Sequence, residues 1–415
     1  MERCGLLGRK LSHSFSPAIH AELGKYPYEL IELEPEELPA FLARGEFHGL
    51  NVTIPYKKAV VPYLDELSPR AQILGSVNTI LKRPDGTLWG GNTDWDGFAY
   101  LLDSAVRALG LSLSGKKALV LGSGGASVTV QAVLKEAGAC VTVISRCGPD
   151  NYTNLDRHAD AYLLVNTTPV GMAPKTGEAP LSLKGFPQLA AVIDLIYNPA
   201  RTALLLEAES LGIPAWNGLS MLVAQAAESS RIWGFCNNPA AETARILPQL
   251  RREQENVILI GMPGCGKSTM ARMLGEQLSR PVYDSDKEIE SETGRSIPDI
   301  FAKEGEEAFR KIETRVLGRL GAMSGIVLAT GGGIVTRAEN YPLLHQNGRI
   351  IWIRRPLSLL STKGRPLSQS RNVSELYRER AGAYERFSDA AVDSQPDKKN
   401  TLQRILEALT GPAAL

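Results

Sequence analysis

The sequence predicts an α/β protein built around parallel β-sheets. Three observations indicate this class. Helical and strand patterns alternate through most of the 415 residues. A strand, a glycine-rich turn and a helix follow one another in "KKALVLGSGGAS" at 116–127. The same order returns in "NVILIGMPGCGKST" at 256–269, so a second parallel sheet is expected late in the chain.

The composition limits the classes of function. Hydrophobic residues make up 43% and charged residues 22% of the chain, which is ordinary for a globular protein. The 46 basic and 45 acidic residues nearly cancel, which disfavours a nucleic-acid partner. The five cysteines lack zinc or redox spacing and are expected to be free thiols. With no signal-peptide core and no bilayer-length apolar run, we expect a soluble cytoplasmic protein without a membrane partner.

Strand patterns continue after the first glycine turn, in "ACVTVISR", "AYLLVNTTP" and "AVIDLIYNP". This order is typical of a dinucleotide-binding sheet. The stretch "NGLSMLVAQAAESSRIWGF" at 217–235 predicts an amphipathic helix, and the polar, proline-containing residues 236–255 predict a linker. The expected domains are 1–100 with helix 219–240, then 101–218, a linker at 241–255, and a further α/β domain at 256–410.

The later glycine turn matches the phosphate-binding pattern GxxxxGK[ST] after a predicted strand. In such a loop the backbone N–H groups turn inward around phosphate oxygens, and the helix that follows adds its positive end. Lys267 would neutralise phosphate charge and act in catalysis, and Ser268 would bind Mg²⁺. The residues expected to bind ATP here are Gly261, Gly264, Cys265, Gly266, Lys267, Ser268 and Thr269.

The residues after this loop indicate the phosphate acceptor. The segment 283–313 carries two aspartates at spacing two and then a Phe-Arg pair, and "ATGGGIV" follows at 329–335. Together these motifs resemble shikimate kinase over residues 256–410. The resemblance implies that Asp284 supports the Mg²⁺ site and that Asp286 also helps to deprotonate the attacking hydroxyl. The residues implied to hold shikimate are Asp286, Arg310, Gly331, Gly332, Gly333 and Arg380.

The lid segment departs from the kinase pattern. In "LSTKGRPLSQS" at 360–370, Arg365 is the arginine expected to meet the ATP phosphates. The segment is short, and Ser361 stands where a further arginine is expected. Because lid closure excludes water and adds positive charge, we hypothesise weaker ATP binding or more hydrolysis.

Four polar loops in the first hundred residues are rich in neutral hydrogen-bonding groups and also contain Lys57 and Asp94. They are "LSHSFSPAIH", "NVTIPYKK", "GSVNTI" and "GGNTDWDG". This set suits a small polyhydroxylated acid, since hydroxyls and amides can satisfy ring hydroxyls. Taken in order, the loops resemble shikimate dehydrogenase over residues 1–240.

This second resemblance assigns further roles. Ser14 and Ser16 are implied to bind the carboxylate of the substrate, and Lys57 and Asp94 are implied to form the catalytic pair. A lysine beside an aspartate can both stabilise the oxygen that gains charge during reduction and deliver its proton. The residues implied to contact the ring are Thr53, Asn78, Asn92 and Gln225.

The end of the strand after the first glycine turn indicates the cofactor. An NAD site places an acidic residue there, about 20 residues on, to hold the ribose hydroxyl. This chain has Ser145 and Arg146 instead, which predicts NADP through contacts with the 2′-phosphate. The turn residues expected to bind this cofactor are Gly122, Gly124, Gly125 and Ala126.

The predicted fold is an N-terminal α/β substrate domain with a Rossmann-like NADP domain, followed by a P-loop kinase domain with a central parallel sheet. The predicted function is NADPH-dependent reduction of 3-dehydroshikimate, then phosphorylation of shikimate by ATP and Mg²⁺, in a monomer or homodimer. Alternatives are a quinate-preferring dehydrogenase, a P-loop kinase for gluconate, a nucleotide or another small acceptor, and an impaired half that serves in binding or regulation. Arg146 disfavours the first, and the motif of Asp286, Arg310 and the glycine triplet disfavours the second.

Overall fold

The computed structural model describes residues 3–11, 14–360 and 373–411, which form three β-sheets flanked by helices. The predicted α/β class is confirmed. Contacts within the chain divide it into two units. The first comprises Met1–Val170, Pro180–Tyr197 and Glu207–Leu250, and the second comprises Gly171–Ala179, Asn198–Leu206 and Arg251–Leu415.

The first sheet of the first unit has six strands in the order β2-β1-β3-β5-β6-β4. It is mixed, because β3 pairs antiparallel with β5, and β5 antiparallel with β6. Its strands are β1 (Cys4–Gly8), β2 (Tyr28–Glu32), β3 (Gly49–Val52), β4 (Glu66–Leu67), β5 (Thr79–Lys82) and β6 (Leu88–Gly91). Its helices are α1 (Ser16–Leu23), α2 (Leu38–Arg44) and α3 (Pro69–Leu74). The polar loops singled out in the sequence join these elements.

The second sheet of the first unit has five parallel strands in the order β11-β10-β9-β7-β8. They are β7 (Lys117–Leu121), β8 (Cys140–Ile144), β9 (Leu163–Asn166), β10 (Ala191–Asp194) and β11 (Ala215–Asn217). The accompanying helices are α4 (Asp94–Leu109), α5 (Gly125–Glu136) and α7 (Leu219–Ile232). Helix α6 (Ala203–Ser210) is divided, with 203–206 in the second unit and 207–210 in the first. Each strand predicted in this region is present. Helices α4 and α7 pack so closely that a Cβ on Gly97 would lie 2.6 Å from the carbonyl oxygen of Met221.

The segment in which the sequence predicts a linker forms helix α8 (Pro239–Gln254). Asn238 begins this helix, since its side chain accepts a hydrogen bond from the backbone of Ala241 at 3.1 Å. Ile246 and Leu250 lie on one face and pack in the core cluster that contains Ile19 of α1. The polar composition therefore conceals an amphipathic helix.

The second unit contains a parallel sheet in the order β13-β14-β12-β15-β16. Its strands are β12 (Asn256–Ile260), β13 (Val282–Asp284), β14 (Val327–Ala329), β15 (Gly348–Arg354) and β16 (Ala390–Asp393). Its helices are α9 (Lys267–Leu278), α10 (Ser285–Thr293), α11 (Ile297–Gly321), α12 (Asn340–His345), α13 (Val373–Phe387) and α14 (Lys398–Thr410).

Alternate residues of β12 enter different cores, as expected for a strand covered on both faces. Val257 and Leu259 belong to the core cluster with Leu274 of α9, and Ile258 and Ile260 belong to the cluster on the other face. Because β12, β13 and β14 pair parallel, their carboxyl ends lead into neighbouring loops at one edge of the sheet.

Within the described parts of the chain, none of the helices combines the length and apolarity needed to cross a bilayer.

Two candidate active sites

An ion pair between Lys57 and Asp94 forms the centre of the first site. Lys57 lies in the loop after β3, and Asp94 is the first residue of α4. The ammonium group of Lys57 donates to Oδ2 of Asp94. The side chains remain 30% and 15% exposed, respectively, so the pair is accessible from solvent. A cation held in this way can stabilise negative charge on a substrate oxygen and exchange a proton with it.

Asn78 holds the other oxygen of the Asp94 carboxylate. Its Nδ2 atom donates to Oδ1 of Asp94 at 2.9 Å, and its Oδ1 atom accepts the backbone N–H of Thr93 at 2.7 Å. Because a backbone N–H can only donate, the amide oxygen faces Thr93 and the amide nitrogen faces the carboxylate. Both Asp94 oxygens therefore have a donor, and the Lys57–Asp94 pair has a defined orientation.

The other residues predicted to contact the substrate ring surround this pair to different degrees. The Asn92 side chain is buried, donates to Ser76 and accepts the backbone N–H of Asp94 at 3.2 Å. It thereby shapes the turn that presents Asp94. Gln225 of α7 lies 3.5 Å from the amide nitrogen of Asn78, and Thr53 is half-buried directly after β3.

The two serines predicted to bind a carboxylate lie together at the start of α1. The backbone N–H of Ser16 donates to Oγ of Ser14 at 3.2 Å. Ser16 is buried, and Ser14 is partly exposed. The arrangement offers hydroxyl donors next to a helix N-terminus, where negative charge is favoured.

The glycine turn before α5 leaves a helix N-terminus open. No side chain caps the helix at Gly124, and the residues from Ser123 to Ala126 are exposed. A Cβ atom on Gly124 or Gly125 would meet no other atom within 4 Å. Gly122 precedes this open space. The free N–H groups and the empty volume in front of them suit a diphosphate.

Arg146 lies two residues beyond the end of β8 and is exposed. Within the described chain its guanidinium group makes no hydrogen bond or ion pair. Ser145 beside it is partly buried and supplies a hydroxyl. A guanidinium group without such partners at this position is suited to bind a phosphate group rather than a ribose hydroxyl.

The phosphate-binding loop of the second site lies between β12 and α9. Its three glycines, Gly261, Gly264 and Gly266, have φ angles of 143°, 87° and 105°, a region that other residues rarely adopt. Helix α9 begins at Lys267 without a side-chain cap. Its first N–H groups are thus free for phosphate oxygens, and Thr269 lies within that first turn.

Lys267 bends back over this loop. Its Nζ atom donates to the carbonyl oxygens of Gly261 at 2.8 Å and Met262 at 3.1 Å. Cys265, by contrast, packs in the core beneath the loop and is 2% exposed, so only its backbone can face a ligand. Since the ammonium group of Lys267 lies over the loop and donates to loop carbonyls, it can donate to phosphate oxygens instead when a nucleotide is bound.

Ser268 and Asp284 bring hard oxygen atoms together at the edge of this loop. The Ser268 hydroxyl donates to Oδ2 of Asp284 at 2.7 Å, and Oδ1 accepts the backbone N–H of Asp286 at 3.1 Å. A hydroxyl and a carboxylate are ligands that Mg²⁺ takes together with water and phosphate. The described residues form no cluster of three or more acidic, histidine or cysteine ligands, so an all-protein cage is not built there.

The glycine triplet after β14 lies against the charged side chains of the site. A Cβ on Gly331 would approach Oδ1 of Asp286 to 2.8 Å and Oε1 of Glu313 to 2.9 Å. A Cβ on Gly333 would collide with the guanidinium group of Arg310. Only glycine allows this close approach. The backbone N–H of Gly331 donates to the hydroxyl of Ser285 at 2.9 Å, which fixes the start of the triplet.

Two buried arginines converge on the triplet. Arg310 donates to Oε2 of Glu313 at 2.7 Å, and Arg380 donates to the carbonyl oxygen of Gly332 at 3.1 Å. Among the described residues, Nε of Arg380 and Oε1 of Glu313 are buried without a hydrogen-bond partner. An unsatisfied guanidinium N–H and an unsatisfied carboxylate oxygen at one site are suited to a small ligand that has both a carboxylate and hydroxyls.

Burial and the neighbouring Asp284 raise the pKa of Asp286 to about 6. Burial also raises the pKa of Glu313, although Arg310 acts in the opposite direction. A carboxylate with a pKa near neutrality can take a proton from a hydroxyl group more readily than an ordinary aspartate.

The part of the chain that carries the first site is similar to known proteins. A family model described as shikimate dehydrogenase substrate binding domain matches residues 6–80. Shikimate dehydrogenase (NADP(+)) of Oleidesulfovibrio alaskensis is 41% identical over 268 residues, which cover 59% of this chain and 93% of the relative. A Thermus thermophilus relative of the same description is 39% identical, with 59% and 98% covered.

The chain belongs to the shikimate dehydrogenase family. A solved shikimate dehydrogenase from Peptoclostridium difficile superposes with a TM-score of 0.54 at 36% identity and covers 60% of this chain and 98% of its own. The Thermus thermophilus enzyme, solved in complex with NADP(H) and shikimate, gives a TM-score of 0.53 at 36% identity, with 60% and 99% covered.

The remaining part of the chain has its own match. A family model described as shikimate kinase covers residues 263–410. The chain therefore joins a shikimate dehydrogenase unit to a shikimate kinase domain, as both resemblances in the sequence predict. The first site, around Lys57 and Asp94, is called the dehydrogenase site, and the second, around the phosphate-binding loop, is called the kinase site.

The structure adds residues that the sequence reasoning did not assign. Glu313 lies three residues after Arg310 on the same helix face, and Tyr384 lies four residues after Arg380 and donates to the carbonyl oxygen of Gly332 at 2.5 Å. Helical spacing from the two predicted arginines was the available signal. Arg365 and the lid residue Ser361 lie outside the described residues.

Proposed function

We propose that the chain is a bifunctional enzyme that reduces 3-dehydroshikimate to shikimate with NADPH and then phosphorylates the 3-hydroxyl of shikimate with ATP and Mg²⁺. One observation carries the proposal. A single chain contains an accessible Lys57–Asp94 pair in one unit and, in the other, a phosphate-binding loop with buried arginines around Gly331–Gly333. Each set suits one of two consecutive reactions on the same cyclic acid.

The domains follow from these sites. We assign substrate binding for reduction to residues 1–100 with helix 219–240, and NADP binding to residues 101–218. Residues 241–255 connect them to the kinase domain at 256–410. A diphosphate would lie against Gly122, Gly124, Gly125 and Ala126, and Arg146 with Ser145 would hold the 2′-phosphate by charge-assisted hydrogen bonds.

In the dehydrogenase site, bound NADPH supplies the hydride for the C3 carbonyl. Lys57 stabilises the negative charge that grows on the carbonyl oxygen and gives it a proton. Asp94, held by Asn78, keeps the ammonium group in place. Ser14 and Ser16 bind the substrate carboxylate. Thr53, Asn78, Asn92 and Gln225 complete the polar surroundings of the ring.

In the kinase site, bound ATP with Mg²⁺ supplies the phosphoryl group. Lys267 leaves the carbonyls of the loop to meet phosphate oxygens, and Ser268 and Asp284 hold the metal. Arg310 and Arg380 bind the shikimate carboxylate, while the backbone of Gly331–Gly333 lies against the ring. The N–H of Gly331 stays with the Ser285 hydroxyl. Asp286 accepts the proton of the attacking hydroxyl.

A coupled assay tests both halves. The full chain is supplied with 3-dehydroshikimate, NADPH, ATP and Mg²⁺, and shikimate and shikimate 3-phosphate are measured over time. We expect both products in sequence. Lys57→Ala should stop the first step but still phosphorylate added shikimate, and Lys267→Ala should accumulate shikimate. An unmodified chain that consumes NADPH without forming shikimate, or shows no transfer to added shikimate, contradicts the corresponding half of the proposal.

A further inference from the structure

A buried cluster of hydroxyl and amide groups lies behind the dehydrogenase site. Ser229 of α7 is 0% exposed, and its hydroxyl donates to the carbonyl oxygen of Gln225 at 2.9 Å. Its Oγ atom accepts from Nδ2 of Asn51 at 2.8 Å. The hydroxyls of Thr79 and Thr93 lie 2.8 Å and 3.1 Å from the same oxygen. We call Asn51, Thr79, Thr93 and Ser229 the Ser229 cluster.

Each partner of Ser229 in the cluster lies next to a proposed site residue in the chain. Asn51 is two residues before Thr53, Thr79 directly follows Asn78, and Thr93 directly precedes Asp94. One hydroxyl on α7 therefore joins three separate segments that carry the substrate-binding and catalytic side chains.

The cluster also bears on the orientation of the Asn78 amide. Oδ1 of Asn78 lies 3.2 Å from the Thr79 hydroxyl and 3.3 Å from the Thr93 hydroxyl, besides accepting the Thr93 backbone N–H. The Thr93 backbone N–H, together with whichever of the two hydroxyls does not donate to Ser229, keeps the amide oxygen turned inward. The amide nitrogen is thereby left to hold Asp94, and Asp94 in turn holds Lys57.

Ser229 has no spare hydrogen-bonding capacity. Its proton goes to the Gln225 carbonyl, and its two lone pairs serve the Asn51 amide and one threonine hydroxyl. Without this hydroxyl, Nδ2 of Asn51 keeps only contacts of 3.5 Å to the Asn78 carbonyl and the Thr79 hydroxyl. Since unsatisfied buried donors are costly, the three segments would shift to find other partners.

We propose that Ser229 is a positioning residue for reduction, whose hydroxyl sets the placement of Asn78 and Asp94 and, through them, of Lys57. This inference rests on the proposed reductase function and adds a determinant outside the substrate contacts.

The neighbouring Ser230 provides a matched control. It is also 0% exposed and lies on the same helix, but its hydroxyl accepts from Tyr26 at 3.2 Å. It makes no hydrogen bond to the Ser229 cluster within the described residues. Ser229→Ala and Ser230→Ala delete the same atom from equally buried positions, and only the first change removes hydrogen bonds of the cluster.

The experiment compares the two variants and Ser229→Thr in the full chain. Steady-state rates of 3-dehydroshikimate reduction give kcat and KM, and NADPH fluorescence titration gives the number of folded binding sites and the Kd. We expect Ser229→Ala to lower kcat per binding site about 10- to 100-fold, since misplacement of a catalytic group by an ångström has effects of this size. The Kd for NADPH should stay within about twofold, and Ser230→Ala should keep kcat within about threefold. Ser229→Thr, which retains the hydroxyl, should recover most of the lost rate.

Three outcomes would overturn the inference. In the first, Ser229→Ala keeps the parental kcat per binding site. In the second, Ser230→Ala loses as much rate as Ser229→Ala, which indicates general damage to α7. In the third, the loss occurs entirely in the Kd for NADPH. An unmodified chain without reductase activity would instead refute the proposed function, and this inference with it.

Discussion

The hydroxyl of Ser268 donates to Oδ2 of Asp284 across 2.7 Å, which joins the first turn of α9 to the end of β13. We expect Ser268→Ala to raise the Mg²⁺ concentration needed for half-maximal phosphorylation about 10- to 100-fold, since loss of such support weakens metal sites by that factor. The measurement is a Mg²⁺ titration at saturating ATP and shikimate. Reduction of 3-dehydroshikimate by the same preparation is the control, and an unchanged Mg²⁺ requirement would exclude a metal-binding role for Ser268.

Lys57 and Lys58 are adjacent, but only Lys57 pairs with Asp94. General acid–base assistance contributes about 10²- to 10⁴-fold, so Lys57→Ala should lower kcat of reduction by a factor in this range. Lys58→Ala removes the same charge from an exposed position and should leave kcat within about twofold. Stopped assays with NADPH measure both variants. Equal losses would indicate that net charge, rather than the ion pair, governs the rate.

Arg146 has an exposed guanidinium at the end of β8. If it holds the 2′-phosphate, Arg146→Ala should raise the KM for NADPH about 10- to 100-fold, the range expected when charged hydrogen bonds are lost. The KM for NADH, which lacks that phosphate, should hardly change. A parallel rise for both cofactors would contradict the assignment, because it would indicate general disruption of the nucleotide site.

Gly333 has no room for a side chain beside Arg310, whereas Gly318 in α11 has ordinary clearance, with Leu343 at 3.8 Å. Gly333→Ala should raise the KM for shikimate at least about tenfold. The added methyl group displaces Arg310, which then loses its paired hydrogen bonds to the shikimate carboxylate. Gly318→Ala should keep kinase activity and raise the free energy of unfolding by up to about 1 kcal/mol, from helix propensity. Kinetics and thermal unfolding of the two variants test both expectations. If Gly333→Ala binds shikimate normally, the proposal that Arg310 binds the shikimate carboxylate is contradicted.

The raised pKa of Asp286, about 6, predicts the pH dependence of the kinase. The proton acceptor must be ionised, so kcat/KM for shikimate should fall about tenfold per pH unit below that pKa and level off above it. Asp286→Asn should lose most activity at every pH. A profile that stays flat from pH 5 to pH 8 would show that ionisation of Asp286 does not limit phosphorylation.

The same shift predicts a stability effect of opposite sign. Because the folded-state pKa lies above the ordinary value of 3.8, the unfolded chain gives up this proton first as pH rises. The contribution of Asp286 to the free energy of unfolding therefore falls between about pH 4 and pH 6 and stays low above that range. Asp286→Asn removes this penalty and should melt at a higher temperature than the parent at pH 8. At pH 4 the two proteins should differ little, and a lower melting temperature of the variant at pH 8 would contradict the prediction.

The sequence by itself determined the features whose parts are neighbours in the chain. The loop from Gly261 to Thr269, the turn from Gly122 to Ala126 and the strands around them were predictable because a strand, a tight turn and a helix start are written in consecutive residues. The preference for NADP was predictable for the same reason, because Arg146 follows the strand where an NAD site has an acidic residue. Helix α8 was not, because its apolar residues are few and only their burial with α1 reveals the face they form.

Only the tertiary structure decided which distant residues meet. Asn51 and Ser229 are 178 positions apart and share a buried hydrogen bond. The sequence could predict that Gly331 binds a ligand. That the Asp286 and Glu313 carboxylates lie so close to Gly331 depends on how β14, α10 and α11 pack. The orientation of the Asn78 amide, the raised pKa of Asp286 and the partners of Arg310 have the same origin. Burial and hydrogen-bond direction arise from the packing of elements that are far apart in the chain, and local sequence patterns do not encode them.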